Sequence, residues 1–293
     1  MSRIRFGVSR LPPEGDDAAF LDEIVEKGHR ALELPFVDGF PWKEKRCQTF
    51  GGLAAERDIR LSVHAPYFAG LTLPDEDRGK QSLAALEHTM KLGRWLGAPV
   101  IVAHFGSNYS EDPEVLMDRI RSRLDQVAPK VDGIGVGMGL ETAGNNRSFG
   151  SLGDIAVLAA EYSFVRPVVD WAHVHAMTGG GLTSKEAFAS VLAFIESSFP
   201  GWMIAPLQTQ FSDNEFGAGG EIRHIPYGEG KGASMLAMGR PEPPVGRASR
   251  WDLASSQIRS WLARSRASEM RIIDTPASCA ASTSGPTRRV PSP

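Results

Sequence analysis

Short apolar runs that fit buried strands alternate along this chain with longer stretches in which apolar positions recur every three or four residues. The first pattern predicts β-strands, and the second predicts amphipathic helices. Strands that are apolar along most of their length are typical of a parallel sheet that helices cover. The strand pattern occurs at residues 4–9, 31–37, 60–64, 100–105, 135–141, 166–170 and 202–211.

Start and stop signals mark several of the predicted helices. Asp112 and Pro113 have the residue types of a helix N-cap and of the first helical position. The spacing of Thr183–Glu186 is that of a capping box, which predicts that Thr183 opens the following helix. Gly97 ends the helix predicted before the fourth strand.

We predict that the sheet closes into a (β/α)8 TIM barrel with an irregular or incomplete eighth unit, because closure leaves no exposed edge strand. The alternative is an open, doubly wound sheet, which is disfavoured because no glycine-rich phosphate loop follows the first strand. Beyond Gly230 the periodicity fades, as it would after a frame change or in a divergent C-terminus, and Met270–Asp274 is the candidate eighth strand. The predicted barrel domain spans residues 1–274, and residues 275–293 are predicted to be a disordered tail.

Composition narrows the function classes only slightly. The net charge of −3 and the isoelectric point of about 6.2 give no overall attraction to nucleic acid. No apolar run approaches the roughly 20 residues that cross a bilayer, and the N-terminus lacks the apolar core of a secretory signal. Cys47 and Cys279 are far apart and have no metal or redox spacing, which predicts a cytoplasmic protein.

Most of the predicted strands from the third onward end in imidazole or carboxylate side chains. In a β/α barrel the C-terminal ends of the strands converge on one face, where active sites are built. Imidazoles and carboxylates are the ligands of zinc and similar divalent ions, and a carboxylate can bridge two ions. The residues that would meet on this face are His64, His104, Glu141, Asp170, His173, His175 and His224.

Simpler roles are also open for individual residues. Asp170 has the position of a helix cap, and a single histidine at a strand end is often only a polar residue of the rim. His29 and His88 lie on or just after predicted helices and are expected to face solvent. Glu221 and Glu229 lie in a glycine-rich stretch, where we also expect solvent exposure.

Six sequence strings together resemble a known family. The chain resembles the endonuclease IV family of apurinic/apyrimidinic endonucleases, among the xylose isomerase-like TIM barrels, over roughly residues 4–230, and is most similar to its archaeal-type branch. The resemblance implies a metal-dependent phosphodiesterase that hydrolyses DNA at abasic sites through a metal-activated water, with up to three zinc ions. The strings are SVHAPY, VAHFGS, GLETAG, DWAHVHA, FSDNEFG and RHIPYGEG, in that order along the chain.

The resemblance also implies a role for each matched residue. His64 and His104 would hold one ion, and the catalytic Glu141 would bridge it to a second ion that Asp170 also binds. A third ion would be held by His173 and His224. Tyr67 matches a family residue that contacts DNA near the lesion. Apart from the resemblance, His175 and Gln210 are candidate substrate-binding residues.

The chain departs from the family pattern at three metal ligands. Gln210 stands where a histidine is expected, and an amide is a poor zinc ligand. Ile222 stands where an acid is expected, with Glu221 one position earlier. The final family glutamate has Asp274 as its candidate match. We therefore expect one or two bound ions, with zinc favoured over manganese and magnesium.

Two other functions compete with DNA cleavage. A sugar isomerase or epimerase on the same barrel would use one divalent ion, and the acidic isoelectric point and the missing ligands favour it. A barrel without catalytic activity would explain the irregular C-terminal region. DNA binding instead predicts a local rim of basic residues, with Arg147 and Arg223 as candidates.

Overall fold

The computed structural model describes residues 4–226 and the backbone of residues 270–274. Eight parallel strands form a closed barrel in the order β1-β10-β7-β6-β5-β4-β3-β2. The strands of the barrel are β1 (Arg5–Ser9), β2 (Ala31–Pro35), β3 (Arg60–His64), β4 (Val100–Ala103), β5 (Gly137–Glu141), β6 (Val165–Asp170), β7 (Leu207–Gln210) and β10 (Met270–Asp274). The closed barrel confirms the predicted fold class, and the open-sheet alternative is wrong.

Helices connect the strands and pack their apolar stripes against the outside of the barrel, as in the burial of Phe20, Leu21 and Ile24. The helices are α1 (Asp17–Glu26), α2 (Glu44–Glu56), α3 (Glu76–Leu96), α4 (Pro113–Val131), α5 (Leu152–Glu161), α6 (Trp171–Met177) and α7 (Lys185–Ser198). Asp112 caps α4 by accepting a hydrogen bond from the Glu114 N–H, as the sequence predicts. None of the helices described here is long and apolar enough to cross a membrane.

The eighth strand closes the barrel despite the irregular sequence before it. Met270–Asp274 pairs in parallel with β1 and with β7, so that Asp274 is the last residue of the strand, as predicted. Residues 227–269, which include Glu229, and the predicted tail at 275–293 lie outside the described residues.

The predicted limits of the other strands lie within two residues of the observed ones, and the boundaries at β7 and α7 need a correction with a physical cause. β7 spans Leu207–Gln210 instead of residues 202–211, and Trp202 lies in a turn before it, 57% exposed, with its ring stacked on the Arg166 guanidinium. The cap of α7 is Ser184 and not Thr183, because the Ser184 hydroxyl accepts the Ala187 N–H.

A hairpin follows β7 and lines one side of the barrel mouth. Its strands are β8 (Asp213–Gly217) and β9 (Gly220–Ile225), which pair in antiparallel fashion. The Glu221 N–H donates to the Gly144 carbonyl, and the Asn146 N–H donates to the Gly219 carbonyl. These bonds fix the hairpin to the loop that follows β5, so that both segments form part of the same rim.

Candidate metal centre

The C-terminal ends of the strands surround a cavity of about 800 Å³ at the mouth of the barrel. β3 ends at His64, β5 ends at Glu141 and β6 ends at Asp170. α6 starts directly after β6, because the Asp170 carboxylate accepts the N–H groups of Ala172 and His173. Asp170 therefore caps the helix and also lines the cavity.

Three predicted ligands form what we call the first donor group, namely His64, His104 and Glu141. The Glu141 Oε2 atom lies 3.5 Å from His64 Nε2 and 3.8 Å from His104 Nε2. This oxygen is buried and has no hydrogen-bond partner among the described residues. The group thus brings two ring nitrogens and an unpaired carboxylate oxygen to one point.

The second donor group consists of Asp170, His173, Glu221 and His224. The Nε2 atoms of His173 and His224 are 3.3 Å apart. The Glu221 Oε1 atom lies 3.4 Å from the first and 3.2 Å from the second. Asp170 Oδ2 lies 3.9 Å from His173 Nε2, and Glu141 Oε1 lies 3.2 Å from His173 Nδ1. Glu141 therefore contacts both groups, and its contact with the second group is to Nδ1 of His173, whereas Nε2 of this ring faces Glu221 and His224.

Hydrogen bonds at the Nδ1 atoms orient three of these imidazoles. The Nδ1 atoms of His64 and His173 each lie 2.7 Å from a main-chain carbonyl, on Ala65 and Thr142 respectively. A carbonyl can only accept, so Nδ1 carries a proton, and in the neutral form of the ring Nε2 keeps its lone pair for a ligand. His224 Nδ1 lies 2.7 Å from the Ser212 hydroxyl, which orients that ring.

The expectation that Glu221 is solvated is wrong. Its side chain is 10% exposed and faces the two imidazoles, whereas Ile222 is 65% exposed. The reason is a β-bulge, because Phe216 pairs with Glu221 while the preceding Glu215 pairs with Arg223, which leaves Ile222 as an extra residue. An extra residue reverses the alternation of a strand, so Glu221 and His224 face the same side despite their odd spacing.

Burial and neighbouring charges set the ionisation of the site. Burial lowers the pKa of His104 to about 4, so its ring is neutral. Burial opposes ionisation of Glu141, but the nearby His104, His64 and His173 outweigh it and lower the pKa of this carboxyl. Burial also opposes ionisation of Glu221, and His173 lowers its pKa to about 2. Two ionised carboxylates thus lie among the imidazoles.

Glu33 is a buried polar residue that the sequence gives no reason to select, because it lies within the apolar pattern of β2. Its side chain is completely buried and lines the same cavity. The Gln210 Nε2 atom donates to both Glu33 oxygens, at 3.2 and 3.4 Å. Gln210 is therefore at the cavity floor, and its role in substrate binding stays a prediction.

Three further predicted residues lie on the rim. Tyr67 is exposed, with its ring centroid 5.5 Å from those of His64 and His104. Arg147 and Arg223 also line the cavity, and Arg223 pairs with Glu215 at 2.8 Å.

His175 lies outside the described lining of the cavity, and its role as a substrate contact stays a prediction. It follows His173 by two positions on α6, which places the two side chains on nearly opposite sides of a helix. Its Nδ1 atom accepts the Leu182 N–H, and its ring packs on Phe216 with centroids 5.0 Å apart.

His29 and His88 also lie apart from the cavity, and each is half-buried instead of facing solvent. The His88 ring packs between Phe40 and Trp95. His29 precedes β2 and so lies at the end of the barrel opposite the mouth.

Comparison with known proteins places this geometry in a wider context. A family model described as xylose isomerase-like TIM barrel matches residues 21–238. An uncharacterized protein from Methanocaldococcus jannaschii is 27% identical over 230 residues, which cover 76% of this chain and 82% of that protein. A probable endonuclease 4 from Cenarchaeum symbiosum is 26% identical over 155 residues, which cover 50% of this chain and 54% of that protein.

Solved structures with two different activities share the fold. Endonuclease IV from Thermus thermophilus matches with a TM-score of 0.61 at 16% identity and covers 93% of this chain and 92% of its own. The 3-keto-D-glucoside 4-epimerase from E. coli matches with a TM-score of 0.58 at 13% identity and covers 93% and 91%. At these identities the likeness shows the barrel and does not separate DNA-cleaving from sugar-converting proteins.

Proposed function

This chain belongs to the xylose isomerase-like TIM barrel family, and we propose that it is a metal-dependent phosphodiesterase that hydrolyses DNA at abasic sites. The family includes endonucleases and sugar epimerases, so the site has to separate the two activities. The observation that supports cleavage is the presence of two adjacent donor groups, both in contact with Glu141. Two neighbouring ions are typical of phosphoryl transfer, whereas polarising a sugar carbonyl requires only one.

The second donor group fits a zinc ion. Donor atoms around a tetrahedral zinc lie about 3.3 Å apart, given bonds of roughly 2.0–2.1 Å. The Nε2 atoms of His173 and His224 and the Oε1 atom of Glu221 are separated by 3.2 to 3.4 Å. A divalent cation among these three atoms would pair with the Glu221 carboxylate and accept a lone pair from each ring nitrogen. Glu221 thus supplies the acid that the sequence pattern lacks at position 222.

The first donor group fits a second ion for a different reason. Glu141 Oε2 is a buried oxygen of an ionised carboxylate and has no hydrogen-bond partner among the described residues. The Nε2 atoms of His64 and His104 face it. Buried charges are stable when they are paired or bind a metal. We therefore propose two resident divalent ions, with zinc favoured because imidazole supplies half or more of the nitrogen and oxygen donors.

Bound ions would activate a water molecule and offset the charge on a phosphate. The residues of the chain hold and orient the groups around that reaction. Glu141 lies between the two donor groups, and the main-chain bonds to His64 and His173 keep their rings fixed before substrate binds. Tyr67 and Arg147 lie on the rim, where an aromatic ring and a cation suit a DNA strand.

A sugar isomerase or epimerase is the second candidate. The cavity of about 800 Å³ is within the size range of small-molecule sites and can hold a sugar. The net charge of −3 also favours a small neutral substrate over DNA.

A nicking assay separates the two candidates. We expect the protein to cut a duplex with one abasic site and to leave the intact duplex whole, and a chelator should abolish the cut. His104→Ala should lower kcat/KM for this cut by about a hundredfold or more, because it removes a ligand. His29→Ala is the matched control, since His29 lies at the opposite end of the barrel, and should have no effect. Metal-dependent interconversion of sugars without nicking would support the second candidate instead.

A further inference from the structure

The floor of the mouth cavity is polar although it lies inside the barrel. Ser9, Glu33 and Gln210 line it, together with the carboxylates of Glu141 and Asp170. In the register of the sheet, Glu33 lies between Ser9 on β1 and Ser62 on β3. These two small neighbours leave room for the Glu33 carboxyl to reach across the barrel interior towards β7.

Glu33 fixes the orientation of Gln210. The Gln210 Nε2 atom donates to Glu33 Oε1 at 3.2 Å and to Oε2 at 3.4 Å. The reverse orientation of the amide would set oxygen against oxygen. Because the carboxamide is planar, Gln210 Oε1 points away from Glu33. This oxygen is buried and accepts no hydrogen bond from any residue that the structure describes.

Gln208 provides an internal comparison. It lies two residues earlier on β7, and its Nε2 atom also donates to Glu33, at 3.4 Å, and to the Ser62 hydroxyl, at 3.2 Å. However, Gln208 lines a second cavity, at the opposite end of the barrel. Its side-chain oxygen is also buried without a hydrogen-bond partner among the described residues. The two residues thus share a side chain, a partner and an unpaired oxygen, and they differ in the cavity that they line.

We propose that the Gln210 carboxamide, positioned by Glu33, accepts a hydrogen bond from a hydroxyl group on the sugar of the substrate. A buried acceptor that lines a binding cavity and has no partner among the described residues is available to a donor on the ligand. Gln210 is then a specificity-determining residue at the position where the resemblance leads us to expect a metal ligand.

The proposed function identifies this hydroxyl, and the inference rests on it. Within a DNA strand, the 3′ and 5′ oxygens of an abasic sugar are both esterified to phosphate. The free hydroxyl that remains is the one at C1′. A tetrahydrofuran analogue lacks this hydroxyl and is otherwise the same size, so the pair of sugars isolates the proposed contact.

Binding of the two sugars tests the contact directly. Two labelled duplexes, one with an abasic site and one with the tetrahydrofuran analogue, each carry a phosphorothioate 5′ of the site to slow cleavage. Fluorescence anisotropy gives the two Kd values for each protein. We expect the wild-type protein to bind the hydroxyl-bearing duplex about tenfold more tightly. Gln210→Met should bind both duplexes equally, whereas the matched Gln208→Met should keep the tenfold ratio.

The ratio is measured within one preparation, so a smaller folded fraction cancels. A wild-type ratio of one, or an unchanged ratio in Gln210→Met, overturns the proposal. The nicking assay above separates this outcome from failure of the proposed function. If the wild-type protein prefers the hydroxyl-bearing duplex but does not nick DNA, the contact is supported and the proposed phosphodiesterase activity is not. If it nicks DNA but binds the two duplexes equally, the activity is supported and the contact is not. If neither duplex binds more tightly than intact DNA, both proposals fail.

Discussion

The position of His173 in the candidate metal centre depends on the absence of a side chain at Gly144. A Cβ atom built on Gly144 would lie 2.4 Å from Cδ2 of the His173 ring. This ring is fixed by its bond to the Thr142 carbonyl and cannot move aside without losing that bond. The loop after β5 therefore needs glycine at this position so that His173 can face His224.

We predict that Gly144→Ala displaces His173 and weakens metal binding in the second donor group while the protein stays folded. Elemental analysis after dialysis should find about one ion fewer per chain than in the wild-type protein. The matched control is Gly52→Ala, because a Cβ atom on Gly52 would meet nothing within 4 Å. An unchanged metal content in Gly144→Ala would contradict this reading of the close contact.

At the residue scale, the sequence predicts donors that end a strand and misses donors that depend on irregular geometry. His64, Glu141 and Asp170 could be found because each ends an apolar strand, and parallel strands end on one face. Glu221 could not, because its orientation depends on a bulge that the strand pattern does not mark. Glu33 could not be found, because a single acid in an apolar strand does not indicate how deeply its side chain is buried or which way it points.

The β8–β9 hairpin contributes to the candidate centre through a β-bulge at Ile222. Its bulge at Ile222 absorbs one residue between Glu221 and His224 and sets both side chains towards His173. If Ile222 is deleted, Glu221 and His224 become two positions apart, which is the spacing of one strand face.

We therefore predict that deletion of Ile222 leaves metal binding in the second donor group intact. Insertion of one alanine after Ile222 is the matched opposite change and should abolish this binding. Zinc titration followed by calorimetry measures both variants. Loss of zinc binding in the deletion variant would show that the bulge itself is required, and not only the common orientation of the Glu221 and His224 side chains.

A buried arginine on α4 fixes the loop between β3 and α3, which carries Tyr67. The Arg123 guanidinium donates to the main-chain carbonyls of Leu71 and Leu73. We predict that Arg123→Met lowers the free energy of unfolding by about 3 kcal/mol, because charged hydrogen bonds to buried carbonyls are lost. Urea denaturation measures this change. Arg121→Met, on the same helix but at the surface, should change stability little, and equal losses in both variants would contradict the argument.

Among the elements, the sequence predicts the middle of each strand better than its ends. The apolar period gives strands and helices, and Asp112 marks the start of α4 correctly. The apolar residues before β7 extend the predicted strand too far, because Trp202 is apolar yet packs on Arg166 outside the barrel wall. Periodicity cannot distinguish these two environments.

At the scale of the whole molecule, the net charge of −3 means that the proposed DNA binding would depend on a few cations at the rim. Arg147 is exposed there, on the loop that the hairpin bonds hold in place. We predict that Arg147→Gln weakens binding of abasic duplex and lowers the slope of log Kd against log salt by about one. Lys27→Gln, at the opposite end of the barrel, should leave the slope unchanged. Equal slopes in the wild type and in Arg147→Gln would remove this residue from the interface.

Closure of the barrel is what gathers donors from residues 64 to 224 into one mouth. We propose that these donors hold two divalent ions, and native mass spectrometry of the purified protein counts them directly. We predict two zinc ions per chain, with one remaining in His104→Ala and one remaining in Glu221→Gln, since each variant removes a donor from a different group. A wild-type protein without ions, or the same number of ions in all three proteins, would contradict the account.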